Sequence, residues 1–141
     1  MKRHETLAPL SRDHHEALIL AQLLKKGAPA YKNLPTGPNE KAAYAVNFYI
    51  NHLEKHFLQE ETMLQKVKTY NRDIKKLTEE IINEHQYLKT IFLSLDKTEN
   101  PAVTLDILGT ALENHIRKEE RILFPLIQQH CPAGILNTLV L

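Results

Sequence analysis

The chain has 141 residues, 43% hydrophobic and 25% charged, and its 18 basic side chains nearly balance 17 acidic ones. That length suits one domain, residues 1–141, built around a single core. A net charge of +1 with no basic stripe argues against a nucleic-acid partner, and no apolar run nears the roughly 18 residues that would cross a membrane.

The opening residues, Met1 to Thr6, are charged and have no apolar stretch behind them, so no signal peptide is expected. The single cysteine, Cys131, cannot close an internal disulfide and suits a reducing compartment. A cytoplasmic protein is the expectation. Only four glycines interrupt a chain rich in Ala, Leu, Glu, Lys and Gln, which favours helix. Valine, threonine and the aromatics never alternate at period two for long, so no strand is predicted.

Four helices follow in order. The first starts with Ser11 as N-cap and runs to Lys25 or Lys26, where Gly27-Ala28-Pro29 ends it and opens a loop through Pro35, Gly37 and Pro38. The second runs from about Asn39 to about Lys68. Asn71 caps the third, which reaches about Leu95. Asn100 and Pro101 read as N-cap and first residue of the fourth, which extends to about Gln129, with Pro125 as a kink and Pro132 as a stop.

Apolar residues recur in each helix at steps of three and four. The second carries Ala45, Tyr49, His52, His56, Glu60, Met63 and Val67. On the third the stripe is Ile74, Leu77, Ile81, His85, Leu88, Phe92 and Leu95. The fourth has Leu105, Leu108, Leu112, His115, Glu119, Ile122 and Leu126. Ionisable residues interrupt each of these apolar faces. Short connections make successive helices antiparallel neighbours, so the predicted fold is all-α, an antiparallel up-down-up-down four-helix bundle.

Residues equidistant from the turn of a helical hairpin lie at one height, because each residue rises about 1.5 Å. Midway between His14 and His56 is Pro35, in the first loop. Midway between His56 and His85 is the Tyr70–Asn71 bond, and midway between His85 and His115 is Asn100. Four histidines therefore converge on one layer. The second and fourth helices run parallel and both carry His-x-x-x-Glu, so Glu60 and Glu119 share a layer one turn away, on the face of their histidines.

Imidazoles and carboxylates are costly to bury unless paired or coordinated. Four nitrogens and two carboxylates exceed the needs of one tetrahedral zinc. They suit two ions, each with two histidines, and two bridging carboxylates. A donor set without thiolate favours iron or manganese, with zinc as a substitute. It leaves room for an oxo or hydroxo bridge and for an exogenous ligand.

At these residues the chain resembles the hemerythrin-like (HHE cation-binding) family. The matching pieces are Asp13-His14, His56-Phe57-x-x-Glu60-Glu61, Glu84-His85 and His115-x-x-x-Glu119-Glu120-Arg121-x-Leu123-Phe124-Pro125, spanning residues 13 to 125. The resemblance implies an antiparallel four-helix bundle and a centre of two non-haem iron ions (Fe2+/Fe3+). It implies ligand roles for His14, His56, Glu60, His85, His115 and Glu119, with the glutamates bridging. The family's oxygen carriers have a second third-helix histidine where this chain has Lys89, and an aspartate where it has Glu120. Both departures match the broader bacterial and regulatory branch, so simple oxygen carriage is not the expected role.

His14 and His15 compete for the first-helix position, and His14 is favoured because it continues Leu7, Leu10, Ala17, Ala21 and Leu24. His52, one turn before His56, is either a fifth nitrogen ligand or, as favoured, a residue outside the ligand set or near the surface. Glu61 and Glu120 sit roughly 100° from their neighbours and are expected in solvent. Tyr49 belongs to the core and His4 to a frayed terminus. His130-Cys131-Pro132 holds the Cys-Pro dipeptide of some haem-regulated proteins, too short a motif to carry weight. No His-Glu-x-x-His supports zinc-protease chemistry, and no Glu-x-x-His marks a ferritin-like bundle.

The expected function is a di-iron protein that engages a small ligand such as dioxygen, peroxide or nitric oxide, for sensing, storage, detoxification or iron handling. The same site would also serve an oxidoreductase that reduces nitric oxide or peroxide, or that repairs iron–sulfur clusters. A third reading is a bundle stapled by metal that recruits a protein partner.

Overall fold

In the computed structural model, which describes residues 2–139, the first helix is Ala8–Leu24. It begins ahead of Ser11 because Pro9, whose fixed φ suits a first turn, starts it after the N–H groups of Leu7 and Ala8 donate to the His4 carbonyl. Gly27, at φ 75°, turns the chain away at its end. The second helix joins Pro38–Phe48, a π turn Tyr49–Leu53, and Glu54–Val67. The third, Arg72–Ser94, is capped by Asn71, whose side chain accepts from the N–H groups of Asp73 and Ile74. The fourth joins Ala102–Lys118, a π turn Glu119–Leu123, and Phe124–His130. Asn100 does not cap it; Pro101 stands ahead of Ala102, and its carbonyl accepts from Leu105. A short helix, Ala133–Leu136, closes one end of the bundle. Among the described residues there is no strand, and no helix is long and apolar enough to cross a membrane.

The two π turns change which residues face inward. Each adds a residue to its turn, so the apolar stripe slips by one position. His52 is exposed and Leu53 is buried in its place. Ile122 is 49% exposed while Leu123 is fully buried, and Ile127 is buried where Leu126 was expected. Pro125 explains the second turn. Inside an α-helix its ring would clash with the carbonyl four residues earlier, and the π turn just upstream absorbs that conflict. In π pairing the Glu120 carbonyl would look to the N–H of residue 125, which proline lacks. Arg3 Nη2 donates to that carbonyl instead, at 2.9 Å. The N-terminus is also anchored by His4 N–H, which donates to Gln128 Oε1 at 2.8 Å, so His4 is held rather than frayed.

This slip is testable. Leu123→Ala should cost about 2–5 kcal/mol of stability, whereas Ile122→Ala should stay within about 0.5 kcal/mol. Urea denaturation of both variants checks it; the reverse ranking would mean an uninterrupted α-helix at this point.

The core falls into two apolar clusters. One gathers Leu20, Leu24, Tyr49, Phe92 and Leu108; the other gathers Leu10, Met63, Ile81, Leu123 and Phe124. Gly109 permits the close crossing of the first and fourth helices, since a Cβ there would lie 2.6 Å from the Ala21 carbonyl oxygen. Between the clusters lies a layer that is neither apolar nor solvated.

Candidate metal centre

Seven polar or charged residues are buried among the described residues: His14, His56, Glu60, Thr78, His85, His115 and Glu119. Thr78 is satisfied locally by the Ile74 carbonyl. The other six are the residues singled out by spacing, and the fold brings them together. They form two overlapping sets, His14, His56, Glu60 and Glu119, and Glu60, His85, His115 and Glu119. In each set one ligand-capable atom per residue lies within 4.8 Å of all the others. Glu60 and Glu119 belong to both, as two carboxylates between two pairs of imidazoles.

The donors are only partly used by one another. His14 Nε2 lies 3.2 Å from Glu60 Oε2, and His85 Nε2 lies 3.1 Å from Glu60 Oε1. His115 Nε2 approaches Glu119 Oε1 to 3.0 Å and His56 Nε2 approaches Glu60 Oε1 to 3.3 Å, yet neither contact has hydrogen-bond angles. His56 Nε2, His115 Nε2 and both oxygens of Glu119 are therefore buried without a hydrogen-bond partner. Such groups are rare and costly in a folded interior. A cation held by these nitrogens and oxygens removes the cost, and the absence of sulfur among the donors suits a harder metal than one bound by thiolates.

Each imidazole is oriented from behind. His14 Nδ1 is 2.5 Å from Glu120 Oε2, His56 Nδ1 is 3.0 Å from Asp13 Oδ2, His85 Nδ1 is 2.8 Å from Glu61 Oε2, and His115 Nδ1 is 2.7 Å from Glu84 Oε1. The pattern runs once around the bundle. The first helix supplies a carboxylate to the second, the second to the third, the third to the fourth, and the fourth back to the first. With Nδ1–H donating outward, Nε2 is left as the inward donor atom, the arrangement that fixes tautomer and ring in metal-binding histidines.

Glu61 and Glu120 thus correct the expectation that they are solvated. Their side chains are only 26% and 25% exposed. A rotation of about 100° on a helix in a four-helix bundle leads to the neighbouring helix, not to water. The sequence signal was adjacency: each of Asp13, Glu61, Glu84 and Glu120 directly abuts one of the inward residues. Ser11, expected as a cap, instead donates to both Glu120 oxygens at 3.0 and 2.9 Å, and Arg3 bonds Glu120 Oε1 at 3.1 Å. Lys118 pairs with Glu84 in the same way. Glu120→Ala should therefore weaken metal affinity roughly 10–100-fold without changing the number of ions held at saturation. A titration of the variant against a competing chelator measures it; wild-type affinity would return Glu120 to solvent.

Electrostatics follow from this geometry. Burial opposes the charged form of His14, but Glu119, Glu120 and Glu60 outweigh it and raise its pKa well above the ordinary value. Glu60 is pushed upward by burial and pulled down further by His56, Glu119 and His14, ending well below the usual carboxylate range. At His14 the charged ring is thus favoured and at Glu60 the charged carboxylate, the pairing a bound cation would replace.

Rings seal the layer. Phe57 stacks on His85 with centroids 4.0 Å apart, and Phe124 stacks on His14 at 5.6 Å. His15 and Lys89 are exposed, so neither joins the cluster. The model of the hemerythrin HHE cation binding domain matches residues 4–127, most of the chain. The chain belongs to the hemerythrin family. Comparison of this hemerythrin-family chain with curated proteins and with solved structures gave no match. The family is one of cation-binding domains, and the buried histidine and glutamate sets are the part of this hemerythrin-like bundle that could hold metal.

Proposed function

We propose that this hemerythrin-like protein binds two non-haem iron ions and uses them to engage a small ligand such as dioxygen, peroxide or nitric oxide, in the cytoplasm. His14 and His56 serve one ion, His85 and His115 the other, and Glu60 and Glu119 serve both. The observation that carries the reading is the pair of overlapping donor sets sharing two fully buried carboxylates, with four donor atoms left unpaired. Iron, when bound, supplies a redox-variable centre. The protein's own residues orient it: the four outer carboxylates hold Nε2 inward, and Phe57 and Phe124 keep water from two of the rings. Among the described residues no fifth histidine joins the donor sets, and His52 is exposed, which leaves room for an exogenous ligand.

Anaerobic reconstitution with ferrous iron should load two ions per chain. Absorption spectra of the reduced protein should then change on exposure to air or to nitric oxide. Chelation should lower the melting temperature, because binding to the native state alone stabilises it. Saturation at one ion, or spectra indifferent to both gases, would contradict the proposal.

A further inference from the structure

His56 and His115, the two cluster histidines whose Nε2 atoms have no hydrogen-bond partner, each line a surface cavity. The cavities differ in kind. Over His115 lies a small one of about 210 Å³, walled by Leu88, Ala111 and the Glu84–Lys118 pair. Over His56 lies a larger groove of about 620 Å³ between the first and second helices, lined by Asp13, Glu16, His52, Lys55, His56 and Gln59.

We infer that the groove over His56 is the route by which a divalent cation enters and leaves the buried centre, with Asp13 as its gate and Glu16 and His52 as the capturing groups. The inference rests on the proposed metal binding. Three observations carry it. Asp13 is the most open of the four outer carboxylates, with a side chain 52% exposed against 25–31% for the others. It is also lightly tethered: Glu120 is held by Arg3 and Ser11 and Glu84 by Lys118, whereas Asp13 bonds His56 alone. Glu61 too has only its histidine, but it is mostly covered. Finally, His56 is 3% exposed, lines the groove, and has its inward nitrogen unpaired, so it joins the groove to the donor set.

The π turn Tyr49–Leu53 built this mouth. By placing Leu53 in the core it put His52 outside, where its ring rests against Phe48, another lining residue, at 5.2 Å. Two carboxylates and an imidazole line the groove with one ammonium, Lys55, a balance that attracts a hydrated cation and lets oxygen and nitrogen donors replace its water stepwise. The other cavity offers no such gradient. Its one carboxylate, Glu84, is neutralised by Lys118.

The test is the rate of ferrous ion loading, followed anaerobically by stopped-flow absorbance, and the rate of release to a ferrous chelator. Wild type is measured first, and failure to load would fall on the metal-binding proposal, not on the route. The double variant Glu16→Gln, His52→Gln should still load two ions at equilibrium but do so about tenfold more slowly, with weaker dependence on ionic strength. Release should slow with it. Asn114→Ala, in the other cavity, should leave both rates unchanged. Unchanged rates in the double variant, or slowing in Asn114→Ala alone, overturn the inference. Loss of an ion at equilibrium in the double variant overturns it too, since Glu16 or His52 would then be a resident ligand.

Discussion

Glu119→Ala is expected to take iron loading from two ions per chain to none, and Glu60→Ala to do the same, whereas His85→Ala should leave one ion in place. The contrast follows from membership: Glu60 and Glu119 belong to both donor sets, and His85 to one. Removing a shared carboxylate deprives both ions of a donor and removes the negative charge that offsets two cations in a buried layer. Removing His85 leaves the His14, His56, Glu60 and Glu119 set intact. The consequence for stability in the loaded protein is large, since each ion at a thousandfold excess over its Kd contributes about 4 kcal/mol. Without metal the same substitutions should cost less, because the imidazoles that lose a counter-charge give up their protons. Metal analysis after anaerobic reconstitution decides the matter. One ion retained by Glu119→Ala would mean that it serves a single ion.

Loading at pH 7 should release about three protons, from His14, His56 and His115. Burial works against the charged form of each ring and is outweighed: at His56 by Glu60 and Asp13, raising its pKa to about 9, and at His115 by Glu119 and Glu84, raising it to about 10. These shifts set the pH profile of the metal-free protein. A raised histidine stabilises the fold fully below its ordinary value of 6.5, and that stability is lost as pH climbs through about 9 and 10. Glu84 works in the opposite sense. Burial raises its pKa, but His115 and Lys118 lower it to about 2, so its contribution is present above 4.5 and lost as pH falls through about 2. The metal-free protein should thus be most stable between about pH 4.5 and 6.5, and metal should stabilise it more as pH rises from 6 to 9. Melting curves of loaded and metal-free protein across that range, with calorimetry in two buffers of different ionisation heat, provide the check. A constant gap between the curves, with no proton release, would count against charged rings at His14, His56 and His115 in the metal-free protein.

The helices were legible from local chemistry. Asn71 caps where its side chain can accept from the next turn, and Gly27 ends a helix by a backbone conformation few other residues adopt. The shared height of His14, His56, His85 and His115 was legible as well, because helical rise is constant and each successive pair is equidistant from the turn between its helices. Glu60 and Glu119 were separable from Glu61 and Glu120 because i and i+4 share a face.

What periodicity does not contain is a change of period. A reading at 3.6 residues per turn carries the stripe of the fourth helix through Ile122 to Leu126. Pro125 forces a π turn before it, and Leu123 and Ile127 go inward instead. His52 was drawn into the stripe for the same reason, and the turn at Tyr49–Leu53 moved it to the rim of a groove. Nor does one helix reveal what its flank will meet. Glu61 and Glu120 look solvated on an isolated helix, and only the neighbouring helices supply the imidazole nitrogens they hold. Spacing along the chain therefore settles which residues share a face and a level, because both are properties of a single helix and its turn. Which flanks touch, where the period slips and where the surface opens depend on four helices packed at once, and the tertiary structure alone decides them.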